Sequence, residues 1–346
     1  MAIERRGTSC AVEPLVLRGN ELAAGESRDQ VVGFLSGQRL CHFTQHPDWA
    51  CLHHADEFVG IGTLLKGQLM AWTLVRIRRI PILRLVKYFA GRGPVVGNIS
   101  ALSQHLIDLV QVLSGDGLYL AMHPYQFEGS AAEIEAALLL GGGVIDSGAE
   151  QYYRDTLVID LTQNLESIRA NFRKSVIRQL NKSARVGVTV VEMDSDSDRQ
   201  QFVTDYTAAM VAKQIAVPDN FQQQLGRFAT PEAGFGLQAL WRGQRVAGIG
   251  LVGCGSTITY EWGYTSADPE HRSLPLHHAL QWQAIQQAKA LGYHRYDLGG
   301  YWSDLGATNP INRFKLGLSS NQQRGCNPYM FCWRPRITRL LSTLRG

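Results

Sequence analysis

The 346-residue chain predicts an α/β fold built twice over. Two observations carry that expectation, a repeated hairpin and a repeated order of elements. Leu64-Leu65-Lys66-Gly67-Gln68-Leu69-Met70-Ala71-Trp72 resembles Leu240-Trp241-Arg242-Gly243-Gln244-Arg245-Val246-Ala247-Gly248 at an offset of 176 residues (Leu64 to Leu240). Each reads as two apolar strands joined at a basic-Gly-Gln turn, the glycine supplying the positive φ of a tight hairpin. Around both hairpins the order α-α-β-β-β-α-β recurs.

Periodicity places helices at Gln30 to Leu35 and Asp48 to His53 before the first hairpin. A strand at Leu85 to Phe89, a helix at Ala101 to Leu113 and a strand at Leu118 to Met122 follow it. In the second half, helices at Asp198 to Val211 and Asn220 to Arg227 precede the hairpin. The strand Thr257 to Tyr264, a helix at Leu276 to Leu291 and the strand Tyr296 to Leu298 follow. Gln151 to Leu161 reads as a strand crossing between the halves, which divides the chain into domains 1–150 and 151–346.

With 45% hydrophobic and 18% charged residues, the chain can bury more than one core. The net charge of +4 leaves any polyanion contact to local patches, such as the tail arginines Arg334, Arg336, Arg339 and Arg345. The apolar stretch Ala136 to Ile145 is too short for a membrane span and is broken by glycines, so no integral membrane contact is expected. Six scattered cysteines without a C-x-x-C predict neither a disulfide framework nor a zinc ribbon, and the thiols are expected to pack as small buried groups. Glu4, Arg5 and Arg6 argue against a secretory signal, so the expected location is cytoplasmic. No metal site is expected. His42 and His46 run into Pro47, and the adjacent pairs His53-His54 and His277-His278 point to different sides of any regular element.

From Ser167 to Val190 the basic residues Arg169, Arg173, Lys174, Arg178, Lys182 and Arg185 occur with no acid among them. At 3.6 residues per turn, Leu165, Ile168, Phe172, Val176 and Leu180 form an apolar stripe, and Lys174, Arg178, Lys182 and Arg185 line another face. This predicts one cationic helix over 165–186, closed by Gly187. Acidic i,i+4 partners that would relieve self-repulsion are missing, which points to a polyanionic partner.

The element order resembles the GNAT acyltransferase fold, a mixed sheet flanked by helices and splayed at its middle. Particular residues narrow the resemblance to the Fem-type aminoacyltransferases and related FemAB-like proteins, which have two such domains. Phe43-Thr44-Gln45-His46-Pro47-Asp48-Trp49 resembles their opening Gln-x-x-x-Trp signature. Gly91-Arg92-Gly93-Pro94-Val95 resembles their glycine-proline turn, and Asn171-Phe172-Arg173-Lys174 with Arg178, Lys182 and Gly187-Val188 their basic helix. Asp297-Leu298-Gly299-Gly300 followed by Phe314-Lys315 completes the pattern.

The resemblance implies transfer of an aminoacyl group from aminoacyl-tRNA, as co-substrate and with no other cofactor, to an amine. Such a reaction needs two oriented substrates and positive charge beside the developing oxyanion. Lys315, after the loop from Gly299 to Asn309 where a strand would open onto a cleft, is the candidate for that charge. Asp297 is either a base or a cap for the following glycine turn. Tyr260, Trp262 and Tyr264 alternate along one strand, so period two puts their rings on one face, lining a pocket or filling a core. Trp49 and Asn98 complete the candidate substrate contacts. Arg173, Lys174, Arg178 and Lys182 are the candidate tRNA phosphate contacts.

An acyl-CoA enzyme of this fold would hold pyrophosphate at a glycine-rich turn opening the helix after the fourth strand. That position reads His271-Arg272-Ser273-Leu274-Pro275-Leu276-His277, without glycine. His53 and His54 stand where peptidoglycan-type members have a lysine, and Gly97-Asn98 where they have an acid. A peptidoglycan precursor and a small-metabolite or natural-product amine both stay open as acceptor, with a CoA or carrier-protein thioester as the alternative donor. No heptad run lies between Gly187 and Arg242, so no coiled-coil arm is expected.

Overall fold

The computed structural model describes residues 14–54, 57–146, 153–228 and 233–343. Glu4, Arg5, Arg6, Cys10, Gln151 and Arg345 lie outside them. The strands in chain order are β1 (Pro14–Arg18), β2 (Phe58–Leu65), β3 (Gln68–Ile80), β4 (Leu85–Arg92), β5 (Val95–Val96), β6 (Gly117–Pro124), β7 (Val144–Ile145) and β8 (Asp155–Asp160). They continue as β9 (Val188–Glu192), β10 (Gly234–Trp241), β11 (Gln244–Cys254), β12 (Thr257–Thr265), β13 (Arg295–Tyr301), β14 (Gln322–Gln323) and β15 (Tyr329–Cys332). The helices of the first half are α1 (Asn20–Ala23), α2 (Glu26–Ser36), α3 (Pro47–Leu52), α4 (Leu102–Leu113) and α5 (Glu128–Leu140). Those that follow are α6 (Leu165–Ala170), α7 (Lys174–Arg185), α8 (Asp196–Val211), α9 (Phe221–Phe228), α10 (Pro269–Arg272), α11 (Leu276–Ala290), α12 (Pro310–Leu318) and α13 (Pro335–Thr343).

The two sheets have the same plan. One runs β1-β2-β3-β4-β6-β15-β7, with β5 paired to β3, and the other β9-β10-β11-β12-β13-β8-β14. Each opens with antiparallel strands and then carries one parallel pair, β4 with β6 and β12 with β13. The hairpins match in detail. Lys66 and Gly67 have φ of 54° and 79°, and Arg242 and Gly243 have 52° and 77°, the left-handed pair of a type I′ turn. Each hairpin also slips register at its closed end, between Thr63 and Leu64 and between Ala239 and Leu240.

Strands β1 to β7 belong to the first sheet and β8 to β14 to the second. After completing the second sheet the chain returns, and β15 pairs β6 in the first sheet. There it occupies the place that β8, the crossing strand, takes beside β13 in the second. The helix α5 corresponds to no element that periodicity assigned.

Three cores result. α4 and α5 cover one face of the first sheet, enclosing Val75, Leu109, Leu120 and Leu138. Ile168, Val176, Leu180, Ala284 and Ile285 lie with the second sheet's Leu237, Ile249 and Leu298. Between them a third core joins Leu35, Phe43 and Trp72 of the first half to Phe202, Leu225 and Trp262 of the second. Burying each such side chain contributes about 1.5–3 kcal/mol, so the halves are held by shared apolar area.

Polar links reinforce that junction. Asp48, at the start of α3, is 8% exposed and is gripped by Arg28 at 2.7 Å and by Arg227 of α9 through Nε at 2.6 Å. Burial would raise its carboxyl, but Arg28, His46 and Arg227 hold it below its usual range. Cys41 and Cys254 form a disulfide with Cα atoms 5.3 Å apart. This corrects the expectation that the thiols simply pack: folding brings the segment before α3 against the end of β11, a pairing without a sequence signature. Cys326 is buried, whereas Cys51 is exposed.

Candidate active site

The stretch 165–186 is two helices rather than one. Asn171 to Arg173 break it, and Arg173, with ψ of 147°, turns its N–H to the Gly317 carbonyl at 2.9 Å. The break lets Phe172, 6% exposed, pack edge-on against Trp282 at 5.6 Å. The cationic side chains then divide. Arg173, Lys174 and Arg178 are exposed, and Lys174 and Arg178 border a shallow apolar hollow with Phe172 and Ile177. Lys182 donates to the Ser273 carbonyl at 3.2 Å, toward the loop before α11.

A bulge decides the aromatic stripe. Gly250 pairs with Trp262 and Leu251 with Tyr260, which leaves Glu261 as the extra residue of β12. Period two fails there, so the three rings do not share one face. Trp262 and Tyr264 join the central core, 7% and 1% exposed, and Tyr264 donates to Asp205 at 3.1 Å. Tyr260 packs against the second half's outer core and is the only one of the three left partly accessible.

The same bulge presents Glu261. Its side chain is exposed at the bulge, but desolvation by the protein packed around the carboxyl pushes it up to about 7. Asp297 adds to that rise, and Arg92 and Lys315 oppose it. Burial pulls Lys315 down to about 8 against the fields of Asp297 and Glu261. The two groups therefore titrate near neutrality, the range useful for proton transfer and for a switchable positive charge.

Lys315 lies on α12, which follows the loop after β13. Asn309 caps that helix by accepting from Ile311 and Asn312 at 2.8 and 3.2 Å, and Pro310 takes its first turn. The ammonium donates to the Gly300 carbonyl at 2.7 Å. Glycine is required at that position, because a Cβ on Gly300 would lie 2.3 Å from the Tyr153 ring.

Asp297, fully buried, has its oxygens occupied. It accepts the hydroxyls of Tyr125 and Thr156 and, at 2.8 Å, the Gly299 N–H. It caps the glycine turn and ties the first half to the second.

Arg92 comes from the glycine-proline turn, with φ of 62°. It is buried, donates to the Tyr153 carbonyl at 3.0 Å and stacks 4.3 Å from that ring. Gln45 fixes the turn from behind, donating to Gly91 at 2.6 Å and accepting from the Leu74 N–H at 2.8 Å. Gln45 of the Gln-x-x-x-Trp signature is thus a clamp between β3 and β4. Glu261, Arg92, Tyr125, Tyr153 and the half-buried Tyr206 of α8 complete the junction, and sequence reasoning assigned none of them. Arg92 sat inside the quoted glycine-proline turn and Glu261 between Tyr260 and Trp262, but only the bulge and the turn aim them.

Trp49 and Asn98 lie elsewhere. Trp49 stacks near His53 at 4.1 Å and lines a cavity of about 260 Å³ on the first sheet with Arg76, Arg78, Lys87 and Tyr119. Asn98 is exposed and caps a short turn through Ser100 at 3.0 Å. A further cavity of about 620 Å³ opens at the start of α11, lined by Lys213, Arg272, His277, His278 and Phe314. Among the described residues no cluster of His, Cys, Asp and Glu could hold a metal ion, and no helix is long and apolar enough to cross a membrane.

Residues 170–315 match the family described as acetyltransferase (GNAT) domain. FemX superposes with a TM-score of 0.79 at 12% identity, covering 92% of this chain and 98% of that one. L-PGS from Bacillus licheniformis superposes at 0.57 and 13% identity, covering 92% and 96%. No curated protein matches in sequence. The protein is thus an acyltransferase that carries a GNAT domain at residues 170–315, in a fold like that of FemX.

Proposed function

We propose that the protein forms an amide bond by transferring an amino acid from aminoacyl-tRNA to an amine. The observation that carries the reading is the arrangement at the junction of the halves, where the β12 bulge presents Glu261 and Lys315 is held by its bond to the Gly300 carbonyl, a base and a cation poised near neutrality. Glu261 takes the proton from the attacking ammonium. The amine adds to the ester carbonyl, and Lys315 stabilises the oxyanion. Collapse of the intermediate expels the 3′-terminal ribose oxygen, which takes the second proton of the attacking nitrogen, while Glu261 passes the first to solvent. Arg92 and Asp297 position the pair.

The donor assignment rests on the exposed row Arg173, Lys174 and Arg178, which fits phosphates, and on the resemblance to Fem-type enzymes. A tRNA donor places the protein in the cytoplasm. The cavity at the start of α11, with Lys213 and Arg272, favours a second reading in which an acyl thioester is the donor.

Labelled amino acids from a total charged-tRNA pool, offered with cell-extract amines, separate the two. RNase-sensitive labelling lost in Lys315→Ala supports the tRNA reading, and thioester consumption without labelling replaces it.

A further inference from the structure

The connection between β3 and β4 combines exposed aliphatic side chains with a run of basic residues. From Arg76 to Lys87 it carries Arg76, Arg78, Arg79, Arg84 and Lys87 and no acid. At its tip Ile82 is 95% exposed and Leu83 42%, between the exposed Arg78, Arg79, Pro81 and Arg84. Nothing in the folding of the chain needs two aliphatic side chains in water at a turn, where polar residues are the usual choice.

A second element reaches the same end of the sheet. The Val86 N–H donates to the Asp116 carbonyl at 2.9 Å, and Arg334, just before α13, donates to the Gly115 carbonyl at 2.8 Å. Tyr88 and Trp333 lie 6.3 Å apart as rings. α13 therefore starts beside the root of the tip, and its Arg336, Arg339 and Leu340 are exposed.

We propose that the β3–β4 tip, with α13 beside it, docks the protein on an anionic lipid surface. The arginines meet lipid phosphates while Ile82 and Leu83 enter the boundary between headgroups and acyl chains. An RNA would satisfy the arginines but offers nothing to exposed aliphatic side chains, since bases reward stacking on aromatic rings. β4 runs from this tip to Arg92, so its eight residues set the reacting groups about 25 Å from the bilayer. The docking is independent of which donor the enzyme uses.

The test is cosedimentation of the full chain with phosphatidylglycerol–phosphatidylcholine vesicles, with pure phosphatidylcholine vesicles as comparison. Binding is expected to the anionic vesicles alone and to weaken as salt rises. Ile82→Asp with Leu83→Asp, whose thermal melt stays that of the wild type because the tip is exposed, lowers vesicle affinity by roughly tenfold or more. Arg79→Glu with Arg84→Glu does the same through charge. Absence of sedimentation, or sedimentation unaffected by the aliphatic pair, overturns the proposal. So does single-stranded RNA binding that only the arginine variant weakens while vesicles are ignored.

Discussion

Tyr125, just after β6, donates its hydroxyl to the Asp297 carboxylate of β13, so one hydrogen bond spans both halves beside the reacting groups. The acceptor is fully buried and also receives Thr156 and Gly299. Tyr125→Phe leaves one carboxylate oxygen short of a partner and is expected to lower stability by about 1–3 kcal/mol. Chemical denaturation with an unchanged slope checks it.

Glu261 and Lys315 fix the pH dependence. Activity requires Glu261 ionised and Lys315 protonated. It therefore rises as pH passes about 7, where the carboxyl loses its proton, and falls beyond about 8, where the ammonium does. The profile of kcat/KM is a narrow bell whose limbs belong to the coupled pair. Glu261→Gln removes the acidic limb and lowers kcat/KM by about 10²–10⁴.

Lys315→Ala costs about 10²–10³ in kcat, the range for losing one oxyanion donor. Lys315→Arg restores little, since a planar fork does not reproduce the single bond that the buried ammonium makes to the Gly300 carbonyl. Circular dichroism separates that loss from misfolding.

Lys174→Glu and Arg178→Glu weaken tRNA binding and flatten its salt dependence, by about one unit of slope for each phosphate contact removed. Neither side chain enters a core, so the melting temperature stays that of the wild type. Filter binding across a salt series reads both effects.

Reducing the Cys41–Cys254 bond frees a long loop, with a separation of 213 residues. A loss of about 2–5 kcal/mol is expected, and a lower melting temperature in dithiothreitol shows it.

The doubling of the fold was legible because its signals are local. The Lys66-Gly67 and Arg242-Gly243 turns announce both hairpins, and alternation and helical period mark the elements around them. What escaped was set by long-range geometry. Glu261 stands in an alternating strand, and nothing in Tyr260-Glu261-Trp262 discloses the bulge that splits the rings and exposes the acid. Phe172 fits a continuous helical stripe, and only its contact with Trp282 requires the break after α6. The return of β15 to the first sheet and the Cys41–Cys254 bond likewise depend on how the halves assemble. Asn309-Pro310, by contrast, is a readable helix start ahead of Lys315 that the order of elements left unassigned.

The most direct measurement follows the ester of labelled aminoacyl-tRNA in a single turnover with an amine acceptor, comparing wild type with Glu261→Gln. Transfer through Glu261 gives rapid loss of the ester with formation of an acid-stable amide, slowed by about 10²–10⁴ in the variant. An intact tRNA ester, in a preparation that consumes an acyl thioester instead, would contradict it.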